Sequence, residues 1–257
     1  MRSILLTLLG AVTLVVLPGT ARGRSAGDPI RVVWAEGDVA GLSSIYATGG
    51  GDPVGFVEYH QTRREDRLTT VRVAHFRDGS SDEDSAEARL VGGRLEAVSG
   101  RSIIRDVQGE ETVDLRIDVD NGRIAASWGK GSDRQTMDEQ VALPKGTYWG
   151  PLVFLVLKNF ASNAEDGRLV FRTVAPTPKP VVLDLEIVRE GAAVLDRTAV
   201  HLDSETFRLG PTIHWTIDPL LRVFAPHATF WILPGDPPAL ARFTGPRNYA
   251  REEIVIQ

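Results

Sequence analysis

The sequence predicts a mostly β protein, a curved antiparallel sheet or half-barrel with one short helix packed against it or plugging it. Three observations carry this. Apolar and polar residues alternate with period two along most of the chain, turn-forming residues interrupt the alternation at short intervals, and a single segment carries a helical stripe.

The first residues read as a cleavable export signal. Arg2 supplies the positive start, and residues 4–17 form an apolar run of roughly 14 residues, short of the about 20 that a membrane-spanning helix needs. Pro18 and Gly19 end the run, and small residues at Gly19, Ala21 and Gly23 suit cleavage, so residues 1–23 are expected to be removed. A periplasmic or secreted location without a stable membrane anchor follows. The chain has no cysteine, which excludes acylation at the cleavage site, disulfides and thiolate metal ligands together. About 235 residues remain, enough to bury a core without covalent staples. The formal net charge is −5 and becomes more acidic once Arg2 and Arg22 are lost, which argues against nucleic acid as a partner.

The clearest strand is 112–119, where Val113, Leu115, Ile117 and Val119 alternate with Asp114, Arg116 and Asp118. Asn121-Gly122 follows, and a two-residue type I′ turn there sets Asp120 opposite Arg123, Val119 opposite Ile124, Ile117 opposite Ala126 and Leu115 opposite Trp128. Further strands are expected at 54–61, 67–76, 86–91, 103–107, 168–174, 181–188, 193–202, 212–217, 228–233 and 239–243. Residues 78–87, acidic and serine-rich, read as a loop, as do 175–180 and 233–238 with their prolines.

Helix is expected at 152–161, where Pro151 suits the first turn, Leu152, Leu155, Val156 and Phe160 form a stripe, and Asn163 offers an end. A buried strand is the alternative. A weak break at 142–150 divides residues 24–257 into halves, 24–142 and 143–257. One continuous curved sheet is preferred over two half-barrels, because a helix plugs an open curved sheet better than it links two closed units.

No motif for catalysis or cofactor binding rises above its structural explanation. His201 and Asp203 share a strand face, and His214 and Asp218 follow a Gly-Pro turn, so His201, Asp203 and His214 are the candidate residues for an envelope hydrolase or isomerase. Alternation alone places such residues on a wet face. Val98-Ser99-Gly100 and Gly41-Leu42-Ser43-Ser44 read as ordinary turns rather than as a serine-hydrolase elbow, Gly49-Gly50-Gly51-Asp52-Pro53 lacks the Lys of a phosphate loop, and Asp82, Glu83 and Asp84 lack calcium-loop spacing. Neither a metal nor a cofactor is expected.

Aromatic residues crowd the second half. Tyr148, Trp149, Phe154, Phe160, Trp215, Phe224, Phe230, Trp231 and Phe243 offer either a plugged core or the walls of an apolar pocket. The residues expected to line such a pocket are Trp149, Phe154, Trp215, Phe230 and Trp231.

The run 182–191, Phe207-Arg208-Leu209, Thr229-Phe230-Trp231 and the segment 239–246 resemble uncharacterised exported bacterial β domains, themselves similar to half-barrels of the periplasmic lipoprotein-carrier type. The resemblance spans residues 165–250. It implies an open curved sheet around a helix, with room for acyl chains or another apolar guest. The first half departs from it, with an acidic stretch and few aromatics. The expectation is therefore a non-catalytic module that binds or carries an apolar small molecule or lipid. A structural envelope-assembly factor is the further alternative to an enzyme.

Overall fold

Alternation along strands of up to 17 residues becomes one long antiparallel sheet in the computed structural model, which describes residues 24–175, 180–197, 200–212, 227–247 and 252–257. The first half contributes β1 (Ile30–Arg31), β2 (Val39–Ala47), β3 (Gly55–Arg64), β4 (Arg67–Phe76), β5 (Ser81–Val91), β6 (Arg94–Arg105), β7 (Glu111–Asp118), β8 (Arg123–Trp128) and β9 (Gln135–Gln140). A helix, α1 (Leu152–Lys158), and a 3-10 turn at Phe160–Ser162 follow. The second half contributes β10 (Arg168–Ala175), β11 (Val181–Arg197), β12 (Val200–Pro211), β13 (Ala228–Leu233), β14 (Ala239–Pro246) and β15 (Glu253–Ile256).

The path runs β10 to β15 and then β2 to β9, so the last strand joins the two halves by pairing with β14 on one side and β2 on the other. The sheet is open. Its two edges, β9 and β10, are successive in the chain, and residues 141–167 pass between them and turn α1 into the concave side. Backbone hydrogen bonds stitch this passage in place. Tyr148 N–H donates to Arg172 O (2.8 Å), Arg172 N–H to Ala26 O (2.9 Å) and Ala97 N–H to Lys145 O (2.9 Å). These satisfy backbone groups that an uncovered edge would leave bare.

The core lies between the concave face and α1. Leu152, Leu155, Val156 and Leu157 of the helix are buried against Leu68, Ala86, Leu95, Leu115, Ile117, Ile124, Leu169, Phe171 and Ile187. The expected stripe is thus the packed face, but Pro151 stands at the N-terminal cap rather than in the first turn, and the α-helix expected over 152–161 ends at Lys158, with the 3-10 turn beyond it. Trp149 lies flat on Gly100, where a Cβ would fall 2.2 Å from its ring nitrogen, so this strand position accepts no side chain. A smaller cluster of Ile45, Val57, Ala74, Phe76, Ile254 and Ile256 fills the concave side where the halves meet.

Several sequence expectations need correcting. The β7–β8 connection is a four-residue loop rather than a two-residue turn. Observed pairs are Asp118 with Arg123, Ile117 with Ile124, Leu115 with Ala126 and Val113 with Trp128. The Asp118 carboxylate accepts from Asn121 N–H (3.0 Å) and Asn121 Nδ2 (2.7 Å), and Val119 N–H is drawn to Val98 O (2.8 Å). Only Gly122 then takes positive φ (61°). The register shifts by two residues, which keeps every side chain on its expected face.

The acidic stretch 78–87 is mostly strand, because its charges are answered on both neighbours. Glu87 pairs with Arg67 (2.7 Å), Asp84 with Arg72 (2.5 Å) and Glu83 with Arg105 (3.1 Å). The expected strands 181–188 and 193–202 are instead β11 and the start of β12, with a bulge between Arg189 and Gly191 in β11. The strand expected at 212–217 lies outside the described residues beyond Thr212. Strands β1, β2, β9 and β15 have no counterpart among the expected strands.

Candidate functional site

The site grows from the C-terminal end of α1. Lys158 closes the helix, Asn159 caps it, and the 3-10 turn carries Phe160 inward against Phe207 of β12, ring centroids 4.9 Å apart at 67°. The β13–β14 turn, rich in proline and glycine, folds over from the other side. Between them lies a cleft of about 480 Å³ at the mouth of the curved sheet, walled by Leu157, Phe160, Phe207, Ile232, Pro234 and Pro238. Ala161, Ala164, Gly167 and Gly235 keep its walls low, and Lys158 and an Arg189–Glu205 ion pair stand at its rim. That size falls within the range of small-molecule sites, about 300–1,000 Å³.

Beneath the helix runs a row of rings. Tyr59 meets Phe154 edge-on at 5.9 Å, Phe154 meets Phe230 at 6.3 Å, and Phe230 meets Phe243 at 5.1 Å. These rings touch one another in packing geometries favourable for aromatic pairs. Burial, followed by the nearby Glu36 carboxylate, pushes the Tyr59 phenol above its usual range. Its hydroxyl donates to Gln61 Oε1 (2.9 Å).

The sequence-derived residues are therefore divided. Phe154 and Phe230 meet in the ring row. Trp149 is buried in the same core but lies over β5 and β6, its Nε1 donating to Ser85 O (3.4 Å). Strand alternation turns Trp231 to the convex face opposite Phe230, where the Arg242 guanidinium sits 5.0 Å above its ring. Trp215 and His214 lie outside the described residues. Trp149, Phe154, Phe230 and Trp231 thus do not line one cavity. Leu157, Phe207 and Ile232, which sequence reasoning passed over, form the cleft together with Phe160. Their signal was available in part: Phe160 stands on the helix stripe, and 233–238 was read as a turn.

His201 and Asp203 stand at the far end of the β11–β12 hairpin, both exposed. His201 Nδ1 pairs with Asp196 across the hairpin (2.5 Å) rather than with Asp203. Neither the cleft nor the depression on β7–β9 includes this pair among its lining residues. A second depression, about 390 Å³, lies on β7–β9, and its charges are already matched, Asp114 by Arg101 (2.7 Å) and Asp138 by Arg123 (2.7 Å).

No family model matches the chain. Nor does any curated protein match its sequence. Among solved structures, a β-barrel-like protein of domain of unknown function DUF1849 from Brucella abortus is similar, with a TM-score of 0.49 and 11% identity over 89% of this chain and 96% of that one.

Proposed function

We propose that the chain is an exported, non-catalytic module that takes an apolar, lipid-like molecule into the cleft at the end of α1. The observation that carries this reading is the cleft itself: leucine, isoleucine, proline and phenylalanine side chains face an opening at the mouth of the sheet, with charge confined to the rim. Apolar walls reward a guest by area removed from water, about 25 cal/mol per Å². Rim charges tolerate a polar end left at the surface. Phe154 and Phe230 of the ring row belong to the packed core and do not line the cleft. The signal-like residues 1–23 support delivery outside the cytoplasm.

The test is native mass spectrometry of protein purified from its own host, followed by titration with dansylaminoundecanoic acid, a fluorescent fatty-acid analogue. A co-purifying apolar mass and saturable enhancement of dansyl emission are expected. Protein that is empty as isolated and gives no dansyl signal would overturn the reading.

A further inference from the structure

Residues 33–37 cross the mouth of the sheet between β1 and β2, beside the cleft. Their backbone is held in an unusual way, since every hydrogen bond assigned to it runs to a side chain. The Asn159 side-chain oxygen accepts from both Val33 N–H (2.7 Å) and Trp34 N–H (2.8 Å), and Asn159 Nδ2 donates to Trp34 O (2.9 Å). Arg63 Nη1 donates to Ala35 O (3.1 Å), and Gln61 Nε2 donates to Glu36 O (2.9 Å). The Glu36 carboxylate completes the set by pairing with Lys158.

The contrast with the flanking chain is sharp. Ile30 and Arg31 are ladder-paired with Leu95 and Arg94, and Val32 N–H donates to Gly93 O (2.8 Å). On the other side Val39 enters β2 opposite Gln61. Both ends are thus fixed to the sheet while the middle rests on side chains, the buried Asn159 and Gln61 and the exposed Arg63. Val33 is half exposed, at 49%. The Arg63 bond is the exposed one of the set, and exposed hydrogen bonds are the first to open in local unfolding.

Position gives this segment its meaning. Lys158, which holds Glu36, is also a rim residue of the cleft. Gln61, which holds the Glu36 carbonyl, accepts the hydroxyl of Tyr59 at the start of the ring row. Resting on the cleft as a ligand site, we propose that residues 33–37 form a strap that gates it: closed, the strap spans from the cleft rim to Tyr59, and its release widens the mouth for an apolar guest. Gating of this kind limits the rate of entry more than the final affinity.

The absence of cysteine makes the test clean. In Ala35→Cys/Arg63→Cys, a short bis-methanethiosulfonate reagent ties the strap to β3 and dithiothreitol releases it. Association of dansylaminoundecanoic acid is followed by stopped flow. Wild type is expected to bind, Arg63→Ala to associate at least about threefold faster, and the tied variant at least about tenfold slower with recovery on reduction. Tied protein that associates as fast as the reduced form overturns the gate and leaves the cleft reading standing. Absence of dansyl binding by wild type overturns both. If the double variant does not fold, an unchanged association rate in Arg63→Ala overturns the gate by itself.

Discussion

The hydroxyl of Tyr148 donates to the carbonyl of Leu95 at 2.6 Å, and the same oxygen accepts Ile30 N–H at 2.9 Å. One fully buried phenol therefore ties the passage between the sheet edges to β6 and to the N-terminal strand. Tyr148→Phe leaves both backbone groups short of a partner, and a loss of about 1–3 kcal/mol in urea unfolding is expected. Burial raises the Tyr148 pKa, so its contribution is complete below the unfolded value near 10 and fades as pH climbs beyond it. Wild type should lose stability above about pH 10 more steeply than the Phe variant, as thermal melts across pH 8–11 would reveal.

Phe230 and Trp231 are neighbours in sequence and opposites in environment. Phe230→Ala removes a ring held between Phe154 and Phe243 and should cost about 3–5 kcal/mol. Trp231→Ala removes a ring from the convex face and its stacking with Arg242, and should cost under about 2 kcal/mol. Parallel denaturant titrations decide the order, and equal losses would contradict the face assignment.

Ala161 is exposed on the cleft wall. Ala161→Trp should fill the opening while leaving the core alone, lowering affinity for dansylaminoundecanoic acid at least about tenfold, roughly 1.4 kcal/mol. The thermal midpoint should stay within about 2 °C of wild type. Undiminished affinity would move the guest elsewhere.

Carboxylates on the sheet make the fold sensitive to acid. Burial opposes the charge of Asp114, but hydrogen bonds from Arg101 and Arg116 outweigh it and hold its pKa below the usual range. Asp118 and Asp78 are lowered by hydrogen bonds from Asn121 and Ser80. A depressed carboxylate stabilises the fold fully above the unfolded value near 3.9, and that stability is lost as pH falls through the folded value. Urea midpoints should hold nearly level from pH 7 to about 4.5 and drop below. Asp114→Asn should cost about 1–2 kcal/mol at pH 7 and flatten the drop.

Strand identity was legible wherever one face is dry and the other wet, as in β4, β7 and β13. It was lost at β5, where Asp84 falls among alternating residues and only Arg72 of the neighbouring strand explains it. Such cross-strand partners are invisible along a single segment. The β7–β8 register failed for a related reason, since the Asp118 carboxylate competes with the turn geometry that Asn121-Gly122 favours. At the site, the aromatic composition pointed to the half of the chain that supplies the cleft walls. The cleft, however, depends on which rings meet, and Phe160 with Phe207 joins residues that only the β10–β13 topology brings together.

The pairing of Ile254 with Ala47 governs how the molecule must assemble. β15 serves as the keystone between two arcs, one built from β2–β9 and one from the later-synthesised β10–β14. Each arc is a meander of local hairpins able to form promptly, but the arch closes only after β15 has been synthesised, and contacts of such high sequence separation form slowly. Until then β2 and β14 expose unsatisfied margins. A newborn chain of this kind needs shelter from self-association during the interval.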